Sequence, residues 1–112
     1  MSLLKALFGL KTTQSDVIKV LVPNDFKAQT ENKNVQLVDV RTSSEYNSGC
    51  IKGAKNIDSF SGNFNTQFNK LNKEKPVYIY CRSGARSRRA SKKIEAFGFT
   101  EIYDLKGGIL NY

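Results

Sequence analysis

The 112-residue chain contains no histidine, and that one absence removes whole classes of chemistry. Zinc sites built with imidazole, Ser-His and Cys-His catalytic pairs, and histidine general bases all need a side chain that is not there. Cysteine is nearly as scarce. Cys50 and Cys81 stand 31 positions apart with no Cys-x-x-Cys spacing, so no metal and no cofactor is expected. A disulfide between them stays open on spacing alone, although a cytosolic chain usually keeps its thiols reduced. No apolar run approaches the roughly 20 residues of a membrane span. No internal repeat, low-complexity tract or Pro/Gly/Ser-rich linker divides the chain.

What is present suits one compact domain. The length is typical of a single core, and 39% apolar residues with 7 Phe and 5 Tyr supply a modest one and argue against disorder. Residues 1–14 read as an N-terminal amphipathic tail, its leucines broken by Lys5 and Lys11, with no secretory cleavage pattern. The domain proper is expected over 15–112, and the protein is expected in the cytoplasm with no membrane partner. The formal net charge of +8 points to anionic company. Arg82, Arg86, Arg88, Arg89, Lys92 and Lys93 crowd into twelve residues. On its own, such a run also suits a solvated helix face.

Hydrophobic patterning predicts alternating strands and helices. Val17 to Val22 reads as a strand, and Pro23-Asn24-Asp25 opens a helical segment that includes Phe26. The run from Val35 to Val40 has the near-continuous apolar character of a strand buried on both faces. Thr42 to Glu45 caps a short helix closed by Gly49, and 55–57 makes a brief third strand. Phe60, Phe64, Phe68 and Leu71 recur at helical spacing as one core-facing stripe. Val77 to Tyr80 is the most strand-like run. Ala90, Ile94 and Phe97 line a helix that stops at Gly98, and Ile102 with Tyr103 closes the series. The alternation implies a mostly parallel α/β sheet flanked by helices, with ligands beyond the carboxyl ends of the strands.

Cys81 follows the strand directly and precedes a glycine turn and a helix. A sulfur so placed meets the amides of the loop and of the helix amino terminus, which favour an anion. Such surroundings, with arginines nearby, favour the thiolate of a cysteine without help from a histidine. Gly84 permits the turn a positive φ. Arg82 and Arg86 offer forked guanidinium groups for oxyanions. The competing reading is a buried, inert cysteine ending a core strand, which would need neither the glycine turn nor the two arginines.

Leu37-Val38-Asp39-Val40-Arg41, Glu45-Tyr46, Gly49-x-Ile51-x-Gly53-Ala54-x-Asn56-Ile57, Tyr80-Cys81-Arg82-Ser83-Gly84-Ala85-Arg86-Ser87, Gly98-Phe99 and Leu105-x-Gly107-Gly108-Ile109 together resemble the rhodanese domain, in order, over 15–112. The resemblance implies a single five-stranded domain and a thiosulfate sulfurtransferase. In that reaction Cys81 takes the outer sulfur of thiosulfate or a related donor as a persulfide and passes it to cyanide, a thiol or a protein acceptor. Cys81 is then the catalytic residue, and Arg82, Ser83, Gly84, Ala85, Arg86 and Ser87 form the substrate-binding loop. Asp39 and Arg41 resemble the family's structural acid and base. Cys50 stands where many members carry histidine, and reads as a structural exchange or as a second thiol.

Two rivals remain. Phosphatases of the same architecture resemble Cys-x5-Arg, whereas here Arg86 arrives one residue earlier. A non-catalytic module with a basic face for a protein or nucleic acid is the other, and Cys81 speaks against it. No nucleic-acid partner is expected.

Overall fold

The computed structural model describes residues 15–112, so the expected tail over 1–14 lies outside the described residues. Five strands form one sheet: β1 (Ile18–Leu21), β2 (Gln36–Asp39), β3 (Lys55–Asn56), β4 (Val77–Tyr80) and β5 (Ile102–Leu105). Their order is β1-β5-β4-β2-β3, and every pairing is parallel. The helices are α1 (Pro23–Thr30), α2 (Ser43–Asn47), α3 (Phe64–Phe68) and α4 (Ala85–Ala96), followed by a 3-10 turn over Ile109–Asn111. No helix among the described residues is long and apolar enough to cross a membrane.

Alternation along each strand builds two cores, one per face. Val77, Ile79 and Cys81 join Val38, Phe64, Phe68, Ala90 and Ile94 on the face covered by α3 and α4. Tyr78, Tyr80, Leu37 and Leu105 join Phe26 of α1 on the other. Each fully buried aliphatic or aromatic side chain contributes about 1.5–3 kcal/mol by leaving water. The neighbours β4 and β2 send their outgoing connections in opposite directions, β4 toward β5 and β2 toward β3. Such a reversal opens a crevice at the strands' carboxyl ends, and Cys81 stands at its edge.

The expected helix through Phe60 is shorter than the spacing predicts. Only Phe64–Phe68 is helical, and Phe60 is 68% exposed. Local polar bonds intercept the chain: Asp58 Oδ1 accepts from the Phe60 N–H (2.8 Å), and Ser61 Oγ accepts from the Asn63 N–H (3.2 Å). These bonds favour turns over helix. The short helix α2 matches its signature, because Thr42 and Glu45 form a reciprocal capping box of the kind that satisfies two orphan N–H groups.

Asp39 and Arg41 lie buried at the end of β2. Arg41 donates through Nη2 to Asp39 Oδ2 (2.6 Å) and to the Gly49 carbonyl (2.6 Å), which ties β2 to the end of α2. The Asp39 hydrogen bond raises the Arg41 guanidinium's pKa, against burial. Arg41→Ala strands a buried carboxylate, and urea denaturation is expected to show a loss of roughly 3–5 kcal/mol. Arg41→Lys should recover only part of it, because an ammonium lacks the fork.

Candidate active site

The thiol is set by three pieces of backbone. β4 delivers Cys81 with its side chain toward the α4 face. The loop then turns at Gly84, whose φ of 110° is costly for residues bearing a Cβ, and the Gly84 N–H donates to Cys81 Sγ (3.0 Å). Helix α4 starts at the next residue, and the Arg88 N–H bonds back to the Gly84 carbonyl (3.0 Å). The amides of Ala85, Arg86 and Ser87 therefore precede the helix's own ladder. Their aligned dipoles favour negative charge at the loop.

A second glycine holds the loop from behind. A Cβ on Gly108 would stand 2.3 Å from the Arg82 carbonyl oxygen and 2.7 Å from that of Cys81, so the two backbones touch with no room for a side chain. The Ile109 N–H donates to the Cys81 carbonyl (2.9 Å) and the Leu110 N–H to that of Arg82 (3.1 Å). Cys81 is 1% exposed, while Arg82, Ser83 and Ala85 are exposed. The sulfur thus sits on the floor of a cradle whose rim faces solvent.

The charges around the cradle are paired across elements. Arg86 donates through Nη1 to Glu45 Oε1 (2.7 Å) and through Nη2 to Glu45 Oε2 (2.9 Å). Glu45 Oε1 also accepts from the Thr42 N–H (3.1 Å). The Arg86 hydrogen bond brings the Glu45 carboxyl down to about 2, and Arg86 is raised in return, chiefly by Glu45. Ser87 is fully buried and donates weakly to the Gly84 carbonyl (3.3 Å). Behind it lies Asp104, 2% exposed, with Oδ1 lacking a hydrogen-bond partner. Burial pushes its pKa up to about 6, partly offset by the Ser87 hydroxyl and by Arg88.

The residues expected at the site therefore take distinct places. Cys81 and Gly84 touch; Arg82, Ser83 and Ala85 form the rim; Ser87 lies beneath. Arg86, expected to face donor oxygens, spends its fork on Glu45. Sequence reasoning missed Glu45 as that partner, Gly108 as the loop's support and Asp104 altogether. The first two stood within recognised motifs, but only the fold brings them to the loop. Cys50 is exposed and both thiols are free. It lines a separate cavity of about 560 Å³ with Thr30, Lys33, Lys52, Ile109 and Tyr112 among others. Among the described residues no cluster of three or more His, Cys, Asp or Glu is placed to hold a metal ion.

Two outcomes follow from these contacts. Gly108→Ala forces the Cys81–Arg82 backbone to move, and is expected to change the Cys81 alkylation rate and lower the melting temperature, checked by alkylation kinetics and thermal unfolding. Asp104 bears on stability with the opposite sign to a paired acid. Its raised pKa means that the folded state keeps a proton the unfolded chain has released, so its contribution is full below about 3.8 and lost as pH rises through about 6. Asp104→Asn should therefore stabilise at neutral pH, by on the order of 2 kcal/mol, and leave stability near pH 4 little changed.

Comparison with known proteins gives a consistent result. The sequence profile of the rhodanese-like domain matches residues 22–112. An uncharacterized Bacillus subtilis protein, YqhL, is 39% identical over 85% of this chain and 72% of its own length. The tRNA uridine(34) hydroxylase of Pelagibacter ubique is 38% identical over 80% of this chain, which spans 30% of that relative. Among solved structures, a rhodanese-like domain protein from Staphylococcus aureus superposes with a TM-score of 0.72 at 33% identity, covering 83% of this chain and 89% of that one. The polysulfide-sulfur transferase of Wolinella succinogenes gives 0.65 at 30% identity, covering 97% and 83%.

Proposed function

The chain belongs to the rhodanese-like domain family, and from that premise we propose that it is a sulfurtransferase that moves a sulfane sulfur from thiosulfate or a persulfide donor to a thiol or cyanide acceptor through Cys81. The observation that carries this reading is the Gly84 N–H on Cys81 Sγ (3.0 Å) at the head of a twelve-residue helix. A fixed donor and an aligned set of amides stabilise negative charge where it forms, without reorganising.

The exchange balances within the cradle. The Cys81 thiolate attacks the outer sulfur of thiosulfate; the new S–S bond forms as the old one breaks, and its electron pair leaves with sulfite. Cys81 persulfide remains. An acceptor thiolate or cyanide then attacks the outer sulfur, and the pair returns to Cys81. No external oxidant or reductant enters. Arg82 is exposed at the rim and suits the sulfonate oxygens by its forked geometry. Arg86, anchored by Glu45, adds positive charge and keeps N–H groups beyond the two that its partner takes. Ser83 and Ala85 are exposed in the same loop.

Phosphatase chemistry fits less well, because four residues separate Cys81 from Arg86 and the guanidinium fork is already occupied by Glu45. The hydroxylase relatives' named activity is not carried over, since this chain matches under a third of the relative compared. We read the protein as a cytoplasmic enzyme, where thiols stay reduced between turnovers.

Intact mass after incubation with thiosulfate is the test. The wild type and Cys50→Ser are expected to gain one sulfur atom with release of sulfite, and cyanide is expected to discharge it. Cys81→Ser should gain none. Absence of the adduct in the wild type, or aryl phosphate hydrolysis outpacing sulfur transfer, would overturn the reading.

A further inference from the structure

Beside the cradle runs a groove of about 180 Å³, floored by Phe64 and Ala90 and walled by Phe60. Its rim carries Arg86, Arg89 and Lys93, positions spaced so as to share one face of α4. The Arg86 guanidinium lies 5.9 Å from the Phe60 ring centroid, and Lys93 Nζ lies 5.5 Å from that of Phe64. Ser59 also lines the groove, and its hydroxyl is buried with no hydrogen-bond partner. The cations therefore frame an apolar slot. Because Arg86 belongs to both the loop and the groove, anything seated there touches the edge of the sulfur site.

We propose that this groove docks an acidic segment of a protein thiol acceptor, inserting one apolar side chain between Phe60 and α4. The proposal rests on the sulfurtransferase reading and names the acceptor's class. Arg86 is paired with Glu45, but Arg89 and Lys93 form no salt bridge among the described residues, and two such cations beside one slot favour acidic neighbours to that anchor; complementary charge speeds and orients encounter. An exposed phenylalanine walling such a groove is of the aromatic type enriched at protein interfaces. A single-stranded nucleic acid would need successive open aromatic faces, but Phe64 is 2% exposed and only Phe60 is offered. Transfer follows the same balance as before: the acceptor thiolate attacks the outer sulfur of the Cys81 persulfide, a new S–S bond forms on the acceptor, and Cys81 leaves as thiolate.

A labelled peptide of sequence Asp-Glu-Leu-Glu-Asp-Gly-Cys, and its counterpart with lysine at each acidic position, serve as probes. The thiosulfate-loaded protein is expected to transfer sulfur to the acidic peptide at least about tenfold faster. Phe60→Ser, and Arg89→Glu with Lys93→Glu, should erase that advantage while leaving thiosulfate-to-cyanide turnover unchanged. A binding arm uses Cys81→Ser protein and peptides with serine for cysteine, read by fluorescence anisotropy, so the groove is judged even if Cys81 never loads. Failure to load sinks the sulfurtransferase reading alone. Equal binding or transfer with the two peptides, an advantage that survives both variants, or tighter binding of oligouridylate than of the acidic peptide overturns the groove's assignment.

Discussion

The site depends on one backbone contact: Gly108 pressed against the peptide between Cys81 and Arg82. The amides that follow Gly108 take up the Cys81 and Arg82 carbonyls, so the loop's outward-facing acceptors are satisfied by a segment that comes from the far end of the chain. With those carbonyls tied back, the Gly84 N–H is the loop donor that meets Cys81 Sγ (3.0 Å). The polarity of the cradle is thus imposed by which half of each peptide is already occupied. Parallel strand order makes the contact available, because β4 and β5 are neighbours and both end on the same side.

Around this fixed frame the charges are arranged in two layers. Near the rim, Arg86 is held by Glu45, which the capping box of α2 holds in place. Two helices, α2 and α4, therefore meet at one guanidinium. Deeper, Asp104 is buried on the α4 side of β5 with an unpartnered oxygen, next to Ser87 and near Arg88. A carboxylate there would oppose negative charge in the cradle; burial raises its pKa to about 6 and weakens that opposition in mildly acid conditions. The two acids are pushed apart by surroundings alone, Glu45 by a paired cation and Asp104 by exclusion of water.

Much of this was legible in the sequence where the signal is local. The four-residue run Val77 to Tyr80, the cap at Thr42 and the turn at Gly84 each report on the conformation of their own neighbourhood, and each appears where expected. Phe60 shows where the reading stops. Its spacing from Phe64 suggested a helix face, but Asp58 and Ser61 satisfy the backbone first, and competition of that kind is invisible to periodicity. The roles of Glu45, Asp104 and Gly108 depend on which strands become neighbours, which no window of residues encodes. Arg86 illustrates both limits: its place in the loop follows from the sequence, while its engagement with Glu45, 41 positions away, does not.

The absence of histidine acquires a structural meaning in this light. A sulfur activated by an imidazole depends on one side chain held at one angle, whereas this sulfur accepts from the main-chain N–H of Gly84 (3.0 Å), whose orientation the loop sets. Ser83 and Ala85 are small and exposed, and Arg89 and Lys93 point along the outer face of α4 beside Phe60. In the proposed reaction, recognition and chemistry occupy adjacent atoms: the loop stabilises the reacting charge, and the side chains of the groove select what approaches it. On the proposed reading, specificity for one acceptor over another is decided on the rim and the groove.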